Sequence, residues 1–306
     1  MNKYNNLSLR ACYQLAAPHT WVSSIIPVVF AILLADIFGL DLLIWQKILL
    51  TLACISMQAS VNTFNDYSDF VSGVDSRDDN VKSSDSTLVF GNINPKSALF
   101  LAVFYLSLGL VFGLLSLKEY KLYPISIGIV GAIIVITYSC GPLKLSYLPL
   151  GELVSGFVMG GLIPLAVLAV GDGKIHWKAL LYSTNIMIGI GLIMMTNNAC
   201  DLIKDKKASR NTLAVKLGIE KIRKIYRIFI ILDLVFLMIF SIKFMQVEGF
   251  VIISLTLLLY IDLLKYLLNS KLLAKDRILQ MKSILKFNLV TNGAYILVLI
   301  LKNLEL

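Results

Sequence analysis

The chain has 306 residues, of which 58% are hydrophobic and only 15% charged, with a formal net charge of +9. An ordinary soluble domain carries roughly 45–50% apolar and about 25% charged residues, so this composition excludes a water-soluble globule and a disordered chain alike. Apolar runs recur from His19 almost to the C-terminus, and with a mean hydropathy of +0.80 they describe one polytopic membrane domain over 1–306.

Residues 1–18 hold no apolar core of signal-peptide type and are expected to remain as a cytoplasmic N-terminal segment. At about 20 apolar residues per span, helices are expected near 19–38, 46–64, 97–117, 121–141, 150–170, 178–200, 225–243, 248–267 and 284–302. The expected fold is thus an all-α membrane protein of nine transmembrane helices. With the N-terminus inside, 21 of the 28 Lys and Arg residues fall in inner segments, the orientation that the positive-inside rule favours. The longest inner loops, 65–96 and 201–224, follow the second and sixth predicted spans. The expected location is a cell membrane, of the bacterial inner or cytoplasmic kind. The positive charge is therefore a topology signal, and no aromatic-interleaved basic module supports nucleic-acid binding. Cys12, Cys54, Cys140 and Cys200 are dispersed; none has the paired spacing of a zinc or redox motif.

Two polar stripes interrupt this apolar pattern. The second span runs into MQASVNTFNDYSDFVSGVD, where Gln58, Asn62, Asn65, Asp66 and Asp69 recur at spacings of three and four, one face of a helix. The sixth runs into MMTNNACDLIKDKKASRNTLAVKLG, where Asn197, Asp201 and Asp205 recur in fours and project from one side. Both stripes sit at the inner ends of helices running the same way, so topology allows them to face each other across one cavity. Four carboxylates pooled there repel one another unless protons or cations intervene. Oxygen ligands without histidine or thiolate suit Mg²⁺, which keeps waters and bridges one or two carboxylates to substrate phosphates. Lys204, Lys206, Lys207 and Arg210, with Arg77 and Lys82 on the other loop, can neutralise remaining phosphate charge. Taken singly, each of these residues also fits a solvated helix end beside a basic loop.

The two stripes resemble the aspartate-rich signatures of the UbiA superfamily of intramembrane prenyltransferases, most nearly its MenA-type branch, the 1,4-dihydroxy-2-naphthoate polyprenyltransferases. The first signature is matched by Asn65, Asp66, Tyr67, Asp69, Gly73 and Asp75. The second is matched by Asn197, Asn198, Asp201, Asp205 and the run Thr212 to Gly218. PHTWVSSIIPV and YSCGPLKLSYLPLGELVSGFVMGG resemble the branch too, and the likeness covers roughly residues 15–220. Ala17 and Cys200 stand where many relatives have arginine. The resemblance implies a bundle around a central cavity in which Asn65, Asp66, Asp69, Asp201 and Asp205 hold Mg²⁺ and an isoprenyl diphosphate. It implies a side opening to membrane lipid for the tail, and transfer of the polyprenyl group to an aromatic acceptor such as 1,4-dihydroxy-2-naphthoate, a step toward menaquinone.

His19 can hydrogen-bond an acceptor or serve the structure alone. Tyr138 and Lys144 fit either diphosphate contact or an interfacial belt residue beside a snorkelling lysine. Asp233 and Asp262 fall within predicted spans seven and eight, where position does not assign them a role. Gly156, Gly160 and Gly161 are expected to allow close helix approach. Three rivals stay open: a prenyltransferase with another acceptor, a secondary transporter using membrane-embedded aspartates, and a scaffold that binds isoprenoid without turnover.

Overall fold

A computed structural model of the protein describes residues 4–74, 87–142 and 144–304. These form α1 (Leu9–Leu15), α2 (Val22–Ile37), α3 (Ile44–Val71), α4 (Thr87–Gly91), α5 (Pro95–Leu115) and α6 (Leu122–Ser139). They continue with α7 (Gly151–Asp172), which contains a π-helical turn at Val158–Leu162, then α8 (Lys178–Tyr182) and α9 (Thr184–Cys200). The last elements are α10 (Leu202–Lys207), α11 (Leu213–Leu217), α12 (Ile219–Leu259), α13 (Ile261–Leu268) and α14 (Arg277–Asn303).

The all-α architecture agrees with the sequence, but the expectation of nine transmembrane helices is overturned. Among the described residues six helices are long and apolar enough to cross a membrane, or seven if the pair Leu9–Thr20 and Val22–Ile37, bent by 55°, counts as one span. Two local causes reduce the number. The predicted span 178–200 breaks at Ser183 into α8 and α9, and α9 has only 17 residues. The spans expected at 225–243 and 248–267 join in one 41-residue helical run, α12, kinked at Met245 and Gln246. Gln246 adopts a left-handed φ of 42° there, and Gly249 packs against the Ser241 carbonyl, leaving no room for a Cβ.

Several helix boundaries follow from local chemistry. The Leu43 N–H donates to Gln46 Oε1 at 3.0 Å at the start of α3, and Gln46 Nε2 donates to the Ser116 carbonyl at 2.9 Å, tying α3 to the end of α5. Asn94 Oδ1 accepts from the Lys96 N–H at 3.0 Å and Pro95 begins α5, the favoured N-cap and first-turn residues. Gly73 closes α3 with a φ of +65°, a conformation open to glycine at little cost.

In lipid, water expulsion does not drive helices together, so close packing and internal hydrogen bonds must do so. Gly156 and Gly160 of α7 meet the backbone of Met187 on α9; a Cβ at Gly160 would lie 2.6 Å from Met187 Cα. Gly109 similarly admits α5 against Met57 and Ala53 of α3. The largest apolar core joins α2, α7, α9, α12 and α14 around Phe30, Leu34, Leu168, Ile186, Leu237 and Tyr295. Deep within it, Asn185 Nδ2 donates to Asn292 Oδ1 at 3.1 Å, and Gly189 leaves the space filled by Asn288. Phe100, Phe104, Ile129, Ile133, Val251 and Leu255 are exposed, the side chains expected of a lipid-facing surface.

Candidate active site

A cavity of about 450 Å³ is lined by α2, α3, α6, α7, α9 and α14 and by the turns beside them. Both polar stripes reach it. Asn62, Asn65, Asp66 and Asp69 enter from α3, while Asn197, Asn198, Asp201, Lys204 and Asp205 enter from the end of α9 and from α10. Away from the carboxylates the same wall becomes largely apolar: Cys54, Met57 and Val61 flank Gln58 on α3, Ile127 and Ile134 precede Tyr138 on α6, and Ile190 and Ile193 precede Asn197 on α9. Cys54 to Asp69 covers roughly 22 Å along the helix axis, so one chamber has a carboxylate-rich end and a long apolar remainder.

The first stripe rests on a continuous helix and is anchored on several sides. Asn62 Nδ2 donates to Thr20 Oγ1 at 2.8 Å and to the Ala16 carbonyl at 3.2 Å. Gln58 Nε2 donates to Asn62 Oδ1 at 3.3 Å. Ser139 Oγ donates to Asn65 Oδ1 at 3.1 Å. Asp66 accepts the Thr87 N–H at 2.8 Å and the Leu88 N–H at 3.3 Å, so it caps the first turn of α4. Asp69 pairs with Arg210 Nη2.

The second stripe departs from the regular helix the spacing suggests. Asp201 has φ −92° and ψ 9°, ending α9 and opening the short α10. Arg277, at the start of α14, holds it: Nε lies 3.0 Å from Asp201 Oδ1, and Nη2 donates to Asn197 Oδ1 at 2.6 Å. Asn198 Nδ2 donates to Glu152 Oε1 at 3.0 Å. Asp205 is buried, accepts from Thr212 Oγ1 at 3.3 Å and lies 3.6 Å from Arg210 Nη1. Burial pushes its carboxyl up to about 6, with Arg210 pulling the other way and Asp201 adding to the rise. Burial also opposes the charge on Arg210, but Asp69, Tyr147 and Asp205 outweigh it and raise its pKa. Arg210 stacks 4.6 Å from the Tyr147 ring centroid.

Not every residue singled out from the sequence arrives at the cavity. His19 and Tyr138 line it, and Ser155 Oγ donates to the Tyr138 hydroxyl at 3.0 Å. Lys144 turns aside to Ser68 and Ser72, each at 3.1 Å, and lies 4.7 Å from the Tyr147 ring. Lys206 is exposed and off the cavity wall. Asp75, Arg77 and Lys82 lie outside the described residues. Arg277, Glu152 and Tyr147 are the participants that sequence reading passed over. Arg277 is 76 residues from Asp201, in an ordinary basic inner stretch, and no local spacing links the two.

Among the described residues no three His, Cys, Asp or Glu side chains assemble as a cage for a metal ion. Carboxylates spread across a cavity wall nevertheless fit Mg²⁺, which demands few protein ligands when waters and phosphate oxygens complete its shell.

A model of the UbiA prenyltransferase family matches residues 24–288. The chain belongs to that family. It is 33% identical over 207 residues to the 1,4-dihydroxy-2-naphthoate octaprenyltransferase of Bacillus subtilis, an alignment covering 67% of this chain and 65% of that relative. The chain therefore spans slightly less than two thirds of that relative's length. Among solved structures, a UbiA homolog from Archaeoglobus fulgidus bound to GPP and Mg²⁺ superposes with a TM-score of 0.68 at 18% identity, covering 95% of this chain and 99% of that one. A structure described for digeranylgeranylglyceryl phosphate synthase superposes with a TM-score of 0.62 at 19% identity, covering 97% and 99%. These two share the fold.

Proposed function

We propose that the protein transfers a polyprenyl group from an isoprenyl diphosphate to an aromatic acceptor and releases diphosphate, with 1,4-dihydroxy-2-naphthoate as the acceptor and menaquinone synthesis as the setting. The observation that carries the reading is the meeting of two acidic stripes, far apart in sequence, at one end of a chamber whose remainder is apolar. Such a chamber suits a substrate with an anionic head and a hydrocarbon tail. The likeness to the 1,4-dihydroxy-2-naphthoate octaprenyltransferase of Bacillus subtilis supports the choice of acceptor, and the Mg²⁺ in the Archaeoglobus fulgidus homolog supports the choice of ion.

In this reading Asn65, Asp66, Asp69, Asp201 and Asp205 hold Mg²⁺ together with the diphosphate. The ion supplies Lewis-acid stabilisation of the departing diphosphate. Arg210 and Lys204 add positive charge around the phosphates. Asn62, Asn197 and Asn198 fix the polar wall through the hydrogen bonds described above. The apolar remainder keeps water from the allylic cation until the electron-rich ring captures it; with 1,4-dihydroxy-2-naphthoate, the ring carboxylate leaves as carbon dioxide. His19 and Tyr138, both on the cavity wall, are polar groups available to the acceptor. The carboxylate end faces the cytoplasm, in keeping with the distribution of Lys and Arg.

The test is diphosphate release by the full chain in lipid nanodiscs with Mg²⁺, a long-chain isoprenyl diphosphate and a panel of acceptors, products being read by mass spectrometry. A prenylated naphthoquinol formed with loss of carbon dioxide is the expected result. Product only with a glycerol-phosphate lipid acceptor would overturn the choice of acceptor, and absence of any product or binding would return the transporter reading.

A further inference from the structure

Arg277 lies outside both acidic signatures in the sequence. It opens α14, lines the cavity, and brings Nε within 3.0 Å of one Asp201 carboxylate oxygen and 3.1 Å of the other. Its Nη2 also binds Asn197, so one side chain spans two members of the second stripe. The two ionic partners are only 13% and 17% exposed. Arg210 occupies a matching position for the first stripe, joined to Asp69 and close to Asp205. Each stripe therefore carries a guanidinium on a carboxylate that a divalent cation needs.

The two cations compete. A guanidinium bridging both oxygens of Asp201 covers the edge of the carboxylate where a metal ion binds, and a +2 charge a few ångströms from a +1 charge repels it strongly in a partly dehydrated site. A displaced guanidinium this far from water needs another anion, and its planar fork matches phosphate oxygens.

We infer that Arg277 is an exchangeable counter-ion: it neutralises Asp201 in the empty site, yields that carboxylate to the incoming divalent cation, and passes to an oxygen of the diphosphate. The inference rests on the diphosphate reading above. Its thermodynamic consequence is that the arginine opposes the cation when diphosphate is absent and favours diphosphate when the cation is present. Cation and diphosphate then strengthen one another, and the coupling is reciprocal.

Calorimetry on the full chain in nanodiscs separates the terms, using Mg²⁺ alone and inorganic pyrophosphate with Mg²⁺ saturating. In Arg277→Gln, Mg²⁺ alone should bind about tenfold tighter and pyrophosphate about tenfold weaker, the scale of one charge-assisted hydrogen bond each way. Arg277→Lys keeps the charge without the fork, so it should leave the affinity for Mg²⁺ alone near wild type and weaken pyrophosphate. A residue that merely props Asp201 would weaken both ligands in Arg277→Gln, and that result overturns the inference, as does an unchanged affinity for Mg²⁺ alone. If the glutamine variant does not survive purification, wild-type pyrophosphate affinity in the lysine variant is enough to overturn it. A wild-type protein that binds neither Mg²⁺ nor pyrophosphate sinks the diphosphate reading itself, a failure distinct from a change confined to the variants.

Discussion

The two acidic stripes have similar composition but are built differently. The first belongs to a 28-residue helix that runs unbroken through Asp69; Asn62, Asn65 and Asp66 are fixed by Thr20, Ser139 and the amides of Thr87 and Leu88, and Asp69 at its end pairs with Arg210. The second straddles a break at Asp201, where α9 ends and the six-residue α10 begins, and it depends on Arg277 and Arg210 from elsewhere in the chain. A carboxylate on a continuous helix inherits its position from the backbone. One at a helix break takes its position from its counter-ions, so the second stripe is the more sensitive to charge.

The largest expected effect tests whether the stripes act together. Asp69→Ala and Asp201→Ala should each reduce turnover by roughly 10²–10³-fold, the order seen when one group stabilising transition-state charge is removed, while both proteins elute from size exclusion as wild type does. Full activity in either variant would remove its stripe from the site. Asp66→Ala should differ from Asp69→Ala by also destabilising the fold, by about 1–2 kcal/mol, because it uncaps α4; equal melting temperatures would show that the cap is dispensable.

Next in size is the seam that carries the second stripe. Gly160 lies against the Met187 backbone and Gly189 against the Asn288 side chain, so Gly160→Val must push α7 away from α9, while Gly189→Val must displace the buried Asn288 amide. Overpacking of this kind costs typically about 1–3 kcal/mol, and thermal denaturation in detergent should show it. A valine at Gly113, which has open space around the added Cβ, serves as the control and should shift the melting temperature little.

A third test probes the second stripe by pH. The folded-state pKa of Asp205, about 6 through burial, lies above the ~3.9 of an unfolded aspartate. Between those values the folded metal-free protein binds more protons than the unfolded one, so this group's contribution to stability falls as pH rises from about 4 to 6 and levels off above. Melting temperatures across that window should decline in the metal-free protein and decline less in Asp205→Asn. An identical slope in the variant would assign the effect to another group.

The sequence revealed the stripes because a period of three to four marks a helix face whatever surrounds it. Asn62, Asn65, Asp66 and Asp69 accordingly share the cavity. It also revealed the glycines of α7, since small residues in an apolar helix signal close approach. It did not reveal the number of spans: hydropathy counts apolar length but is blind to the break at Ser183 and the kink at Met245 and Gln246. Nor did it reveal Arg277, because an ion pair across 76 residues leaves no periodic trace. Lys144, which the sequence left open between diphosphate contact and a snorkelling interfacial lysine, lies within reach of two serines and an aromatic ring.

That ring gives the smallest expected effect. The Tyr147 ring contacts both Lys144 and Arg210, with centroid distances of 4.7 and 4.6 Å, and the Tyr147 carbonyl accepts the Asn211 N–H at 2.8 Å. Tyr147→Leu keeps the backbone bond and most of the apolar bulk but removes the π face. A partly exposed cation–π contact contributes about 0.5–1 kcal/mol, so loosening Arg210 by that much should weaken pyrophosphate binding by a factor of about two to five. Tyr147→Phe retains the ring and should bind as wild type does. If leucine and phenylalanine behave alike, the orientation of Arg210 comes from Asp69 and Asp205, and the two acidic stripes fix this shared counter-ion without help from the aromatic wall.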